Sequence, residues 1–301
     1  MENYKPDKIE IFAAANDNYM PHLTVAAASI LKNATEDDFH CFYILDGGIS
    51  DKHKNRFLKL KKIKNFDAEF IKIDDKLFEE IKLSKDCKHI SKQTYYRYLI
   101  PKIKPELNKS IYIDCDVVVT ASLKELWQTE LENNYVAAVE ELYNGISDDY
   151  SKLGLNKYFN AGILLINNKL WKEDNISDLL FENTLKLQDK VRWQDQDVMN
   201  YTFKDRVLFI HPKFNVQQNA FFDTGSRIYS KEDIEQAIST PTIVHFNGGL
   251  KPWHTTCKHE MRQLYFDYLK LTAYKNNYYK FKLKKLIKSL NLPSFLKKTK
   301  G

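Results

Sequence analysis

Apolar and polar positions alternate between two periods along the first half of the chain. IEIFAA (Ile9 to Ala14) is a short apolar run of strand length, the turn-rich NDNYMPH follows, and LTVAAASILKN has the length and composition of a helix. FHCFYIL is the next strand, ended by the breaker DGGIS, and KHKNRFLKLKKI is the next helix. AEFIKID, SKQTYYRYLIPKI and SIYIDCDVVV then read as strand, helix and strand. Strands alternating with helices predict an α/β fold with a mostly parallel central sheet and flanking helices. Ligands in such sheets bind where strands end and the chain leaves for a helix, and Asp46, Asp74, Asp114 and Asp116 all fall near such ends. In the second half, YVAAVE, YFNAGILLIN, RVLFIH and TIVHFN are further strands, and WQDQDVMNYTFK turns helical after Asp195.

One stretch contradicts its own pattern. Ser110 to Thr120, SIYIDCDVVVT, has the composition of a buried strand with two aspartates in its middle. An unpaired buried carboxylate costs several kcal/mol, so two of them one residue apart require a partner. A strictly extended strand would send them to opposite faces. They can converge only if the strand ends there, with Cys115 or Asp116 in a turn.

Composition narrows the class. The 301 residues are 43% hydrophobic, which fits a globular protein with a substantial core. Cys41, Cys87, Cys115 and Cys257 have no paired spacing, so reduced thiols are expected rather than a disulfide framework or a zinc cluster. MENYKPDKIEIFAAAND lacks the features of a secretory signal, and no apolar run approaches the length of a membrane span, so a cytoplasmic location is expected. The net charge of +6 is uneven. Nine lysines and no acid lie from Lys275 to Gly301, which leaves −3 for everything before them. A duplex-binding protein would stripe its folded domain with positive charge, so no nucleic-acid partner is expected; the tail alone calls for an anionic one. The simplest division is a catalytic domain over residues 1–250 and a helical, basic C-terminal segment over residues 251–301.

Two aspartates at a strand end suit a hard divalent cation, magnesium or manganese, whose coordination is completed by substrate phosphates; they suit equally a salt-bridged or capping pair. HFNGGLKPWH adds His245 at the end of another apolar strand, followed by Gly248, Gly249 and Lys251. An imidazole completes a carboxylate site better for manganese than for magnesium. The glycines admit close backbone approach to a diphosphate, and Lys251 can neutralise it. WQDQD places Asp195, Gln196 and Asp197 at a helix start, where capping by Asp195 is the plain alternative.

IFAAANDNY, HISKQTYYRYLIP, YIDCDVVV, YFNAGILLIN, WQDQDVMN and VHFNGGLKPWH occur in the order seen in family 8 glycosyltransferases, which the chain resembles from about Ile9 to His254. The likeness is nearest to the bacterial lipooligosaccharide galactosyl- and glucosyltransferases, with glycogenin more distant. The resemblance implies a GT-A fold, a UDP-sugar donor, a manganese ion, and transfer of the sugar with retention to a saccharide or glycolipid acceptor. It implies Asp114, Asp116 and His245 as metal ligands. Ala14, Asn18 and Tyr19 would line the uridine with Asn16 nearby, Arg97 would contact the donor, and Cys115 lies within the donor-binding turn. Asn160, Ala161, Asp195 and Gln196 would surround the transferred sugar; Gly248 and Lys251 would hold the diphosphate. Relatives often carry an acid where Asn16 stands; an amide can still both donate to and accept from a base edge.

Retention takes either a double displacement or a same-face attack assisted by the leaving group. Gln196 is a poor nucleophile and Asp195 a better one; same-face attack is the expectation, with Glu141 as an acceptor-side carboxylate or a solvated strand end. A catalytically silent, membrane-associated UDP-sugar-binding scaffold is the alternative. A metal-dependent nucleotidyltransferase or phosphohydrolase would have no obvious use for WQDQD and FNAG.

In the tail, Tyr279, Leu283, Leu286, Ile287 and Leu290 fall on one helical arc, and Lys280, Lys282, Lys284, Lys285 and Lys288 fill the rest. This is the pattern of an interfacial helix on an anionic membrane, ended by Pro293 and extended by Phe295 and Leu296; the plain alternative is a helix docked on the domain. A peripheral position on the inner face of the cytoplasmic membrane is expected.

Overall fold

A computed structural model describes residues 8–83, 91–142, 150–222 and 226–289. Ten strands form two sheets among them: β1 (Lys8–Ala15), β2 (Phe39–Asp46), β3 (Asp67–Lys72), β4 (Ser110–Ile113), β5 (Val117–Val119), β6 (Val136–Ala138), β7 (Ile163–Ile166), β8 (Val207–Phe209), β9 (Val216–Gln217) and β10 (Ile243–His245). The large sheet has the order β3-β2-β1-β4-β7-β6-β8. It is parallel from β3 through β4 and between β6 and β8, and antiparallel on both sides of β7.

Both faces of this sheet are covered, which is why its strands read as nearly unbroken apolar runs. Side-chain alternation along β1 sends Ile9, Ile11 and Ala13 to one core and Phe12 to the other. The first core includes the helix Met20–Asn33, whose Ala26, Ala27 and Ala28 are fully buried between the sheet and β5. That helix also fixes β5 through polar groups: Ser29 Oγ accepts from Val119 N–H at 2.9 Å, and Asn33 Nδ2 donates to Val119 O at 2.9 Å.

The run SIYIDCDVVV, expected as one strand, is two strands of different sheets. β4 ends at Ile113, Cys115 and Asp116 form a turn, and β5 enters a three-stranded sheet of order β5-β10-β9. The expected turn at the aspartate pair is therefore present, and it is the point where the chain changes sheets. In that second sheet His245 lies opposite Val117 and beside Gln217.

The helix expected over residues 91–103 is instead a 3-10 helix, Lys92–Leu99, followed by one α-turn, Ile100–Ile103. Pro101 has no N–H to donate to Arg97 O, so an α-helix cannot run unbroken through it, and a three-residue repeat puts Thr94 and Arg97 on one line and Tyr95 and Tyr98 on another. Tyr95 and Tyr98 meet edge to face at 5.5 Å in the second core, while Arg97 Nε donates to Thr94 O at 2.9 Å.

Beyond residue 250 the chain continues against the body. Tyr265, Phe266, Leu269 and Tyr274 bury themselves on Val25, Val118, Val244 and Phe246. The helix Asn276–Ser289 then docks through Tyr278 and Phe281 onto Phe266, at ring separations of 5.5 and 4.6 Å. Tyr279, Leu283, Leu286 and Ile287 remain exposed. Leu290, Pro293, Phe295 and Leu296 lie outside the described residues, as does Cys87. Cys41, Cys115 and Cys257 are buried free thiols. No helix among the described residues is long and apolar enough to cross a membrane.

Candidate functional site

The carboxyl ends of β1 and β4, the start of the helix Asp195–Phe203 and the loop after β10 enclose a cleft of about 490 Å³. Asp114, Asp116 and His245 meet on its floor with one ligand atom each, all within 4.8 Å of one another. His245 Nε2 lies 3.4 Å from Asp116 Oδ1 and 3.9 Å from Asp114 Oδ2. Gly162, on the adjoining strand end, makes room for them: a Cβ there would stand 2.2 Å from His245 Cε1 and 2.9 Å from Asp114 Oδ2.

Two carboxylates at this separation repel each other, and the surrounding cations decide their charges. Burial raises Asp114 above the ordinary carboxylate range despite its ion pair with Arg97, at 3.0 Å. Burial pushes Asp116 the same way, but Lys251 and His245 outweigh it and hold its carboxyl far below that range. Lys251 Nζ contacts Asp116 Oδ2 directly and donates to Phe246 O at 3.0 Å. Two oxygen donors and one imidazole nitrogen around a pocket too tight for a side chain at Gly162 fit a hard divalent cation.

The opposite wall carries the WQDQD segment. Gln194 is fully buried with a positive φ of 57°, a strained conformation that turns the chain sharply into the helix and presents Asp195 and Gln196 to the cleft. Asp195 accepts from Thr94 Oγ1 at 2.5 Å and pairs with Arg97 Nε at 3.1 Å. Burial pushes its carboxyl up to about 6 against both partners. Arg97 thus joins Asp114 to Asp195, while its guanidinium lies 4.0 Å over the Tyr112 ring. Gln196 Oε1 accepts from Ala161 N–H at 2.9 Å, and its Nε2 faces Glu141 Oε2 at 3.3 Å. Asn160 Nδ2 donates to the same Glu141 oxygen at 2.7 Å.

Of the residues singled out in the sequence, Ala14, Asn16, Tyr19, Arg97, Asp114, Cys115, Asp116, Glu141, Asn160, Ala161, Asp195, Gln196, His245, Gly248 and Lys251 line this one cleft. Asn18 does not: it is exposed, and its N–H bonds Asn16 Oδ1 at 3.1 Å, so its part is in the turn that Asn16 closes. Asp46 and Asp74 also lie elsewhere. Asp46 accepts from the N–H groups of Gly48 and Ile49 and pairs with Lys54; Asp74 caps Lys76. Gly248 has a φ of +81°, which only glycine adopts at ease, and so shapes the loop carrying Lys251.

Three participants were not foreseen: Thr94, Gly162 and Asn215. Thr94 had a usable signal, since it stands three residues before Arg97 in QTYYR. Asn215 is fully buried just ahead of the two-residue strand β9, in a stretch whose apolar pattern is too short to register.

Residues 10–257 match the family described as Glycosyl transferase family 8. General stress protein A of Bacillus subtilis is 32% identical over 279 residues, covering 90% of this chain and 96% of its own length. The lipopolysaccharide 1,3-galactosyltransferase of Salmonella typhimurium is 26% identical, covering 87% of this chain and 77% of its own. The crystal structure of the galactosyltransferase LgtC in complex with donor and acceptor sugar analogs has a TM-score of 0.78 at 30% identity, covering 88% of this chain and 96% of that one, and the two share the GT-A fold. A match that begins in β1 and runs past the Lys251 loop takes in every side chain that lines the cleft, and the chain belongs to glycosyl transferase family 8.

Proposed function

We propose that the chain transfers a hexose, glucose or galactose, from a UDP-sugar to a lipid-linked or cell-surface saccharide, with retention of configuration and with manganese, or secondarily magnesium, as cofactor. The convergence of Asp114, Asp116 and His245 beside Lys251 carries this reading. The family implies a nucleotide-sugar donor, and relatives named for galactosyl transfer support a hexose.

A bound divalent ion would supply charge stabilisation to the departing diphosphate. Lys251 would neutralise the same group from the Gly248 loop, and Ala14, Asn16 and Tyr19 would hold the nucleotide. Asp195 and Asn160 would bind sugar hydroxyls, with Arg97 keeping Asp195 oriented. Gln196 is anchored through Ala161 N–H and Glu141, and the Asp195 carboxylate is engaged by Thr94 and Arg97. Neither is arranged as a loose nucleophile. This supports same-face attack, in which the leaving phosphate takes the acceptor proton, with Glu141 on the acceptor side.

We read residues 251–301 as the C-terminal segment, docked as far as Phe281 and offering, on the other face of the helix Asn276–Ser289, an apolar strip edged by lysines to the anionic inner face of the cytoplasmic membrane. A panel of UDP-sugars assayed for manganese-dependent slow hydrolysis tests the catalytic reading without an acceptor. Hydrolysis of UDP-glucose or UDP-galactose is expected. Binding of a donor without hydrolysis of any would favour the silent scaffold.

A further inference from the structure

His245 has two ring nitrogens, and only one faces the aspartates. Its Nδ1 is 3.0 Å from Oδ1 of Asn215, a side chain with no solvent exposure. The hydrogen-bond chain beyond Asn215 determines which way its amide points. Gly162 N–H can only donate, and it donates to Asn160 Oδ1 at 3.0 Å. The atom of Asn215 that meets the same oxygen, at 2.9 Å, must therefore be a donor, Nδ2. Asn215 Oδ1 is then left facing His245, and an amide oxygen can only accept. His245 Nδ1 consequently carries its hydrogen, and the lone pair of the neutral ring belongs to Nε2, the nitrogen 3.4 Å from Asp116.

We propose that Asn215 is a positioning residue that fixes the ligand tautomer of His245 and links the metal side of the cleft, through Asn160, to the Glu141 and Gln196 side where the sugar is transferred. The inference rests on the proposed metal reading of Asp114, Asp116 and His245. A histidine ligand whose second nitrogen is held by an outer partner binds metal in one orientation without first rearranging, and loss of such a partner typically costs about 10- to 100-fold in affinity. The amide is suited to both tasks. Its oxygen accepts from the imidazole while its nitrogen keeps Asn160 turned with Nδ2 toward Glu141.

Two variants of the full chain separate these tasks. Asn215→Leu removes both contacts while keeping the branching at Cγ; Asn215→Asp keeps an acceptor for Nδ1–H but cannot donate to Asn160. The tautomer is read from nitrogen-15 NMR of the histidine rings in metal-free protein, at a pH where the ring is neutral and with His245 assigned from a His245→Gln spectrum. Manganese affinity is read by calorimetry. We expect an Nδ1–H ring in the parent protein, loss of that single tautomer in Asn215→Leu, and manganese binding weaker by about 10- to 100-fold. Asn215→Asp should keep the Nδ1–H ring and the manganese affinity but show a lower turnover at saturating donor, the mark of a disturbed Asn160. Should Asn215→Leu fail to fold, the Asn215→Asp comparison carries the test alone. An Nε2–H ring in the parent protein, or a folded Asn215→Leu with unchanged tautomer and manganese affinity, overturns the proposal. Parent protein that binds no manganese overturns the metal reading instead, and is told apart because the tautomer is read without metal.

Discussion

Lys251 Nζ and Asp116 Oδ2 form a buried ion pair on the cleft floor, and the lysine is held in place by Phe246 O at 3.0 Å. A lysine ammonium and a divalent cation are alternative partners for that oxygen. Under the proposed metal reading, the ammonium would compete with the ion when no donor is bound, and a diphosphate would draw it off and free the carboxylate. Lys251→Met should therefore bind manganese more tightly than the parent protein when no donor is present, by about tenfold, because it leaves a buried carboxylate without its cation. The same change should weaken UDP binding and reduce, without abolishing, any mutual strengthening of metal and nucleotide binding, since a bound ion would still meet the diphosphate directly. Calorimetry with manganese alone checks the first part; unchanged or weaker binding would show that the ion pair does not oppose the metal.

Gln196 accepts from Ala161 N–H and approaches Glu141, so it is placed as a fixed amide under the proposed sugar position. Gln196→Ala should lower the rate of transfer by about 100-fold through lost positioning, with measurable activity remaining. Complete loss of turnover, joined by mass-spectrometric capture of a sugar on Asp195, would point to double displacement.

Legibility of this site in the sequence followed the range of the contacts. The aspartate pair stood out because two charges interrupt a strand, and the turn between them could be deduced from strand geometry alone. That the two halves belong to different sheets could not, since β5 is three residues long and owes its place to antiparallel pairing with β10, more than a hundred residues away. Thr94 and Arg97 share a face in any helix, but that this face meets Asp114 and Asp195 depends on the burial of Tyr95, Tyr96 and Tyr98 in the second core. Asn215 is polar, buried and functional only through partners at positions 160 and 245, and no local pattern records that.

Acid should weaken the fold in a defined window. His40 is fully buried in β2, between Asp38 and Lys64, and burial pushes its ring down to about 4 from the ordinary 6.5. As pH falls below about 6.5 the unfolded chain takes up a proton that the folded ring refuses until about 4, so stability drops across that interval. The loss from this residue amounts to about 2 kcal/mol at about pH 5. His22, held down to about 3 by burial, adds to it. Urea unfolding at neutral pH and near pH 5 should show His40→Phe losing about 2 kcal/mol less than the parent protein on acidification. An equal loss in both would mean that His40 takes its proton in the folded state.

The tail helix Asn276–Ser289 is docked by one face and bare on another. Tyr278 and Phe281 pack on Phe266, while Tyr279, Leu283 and Ile287 are 66%, 57% and 36% exposed. Removing the whole helix would strip the docking face as well, so the sharper change is Tyr279→Ser with Leu283→Gln and Ile287→Gln, which leaves Tyr278, Phe281 and every lysine in place. Lysines near an anionic surface attract it by about 1 kcal/mol each and are screened beyond about 8 Å at physiological salt, whereas apolar insertion does not weaken with salt. The parent protein should sediment with vesicles containing anionic lipid, and added salt should release only part of it. The triple variant should bind at low salt and be released far more fully than the parent protein as salt is raised, with Leu286 the one exposed apolar side chain left among the described residues of the strip. UDP-sugar hydrolysis should be equal in the two, because the cleft lies upstream of the helix, but transfer to a membrane-embedded acceptor should fall in the variant. If both proteins sediment equally at all salt concentrations, the exposed strip does not enter the bilayer.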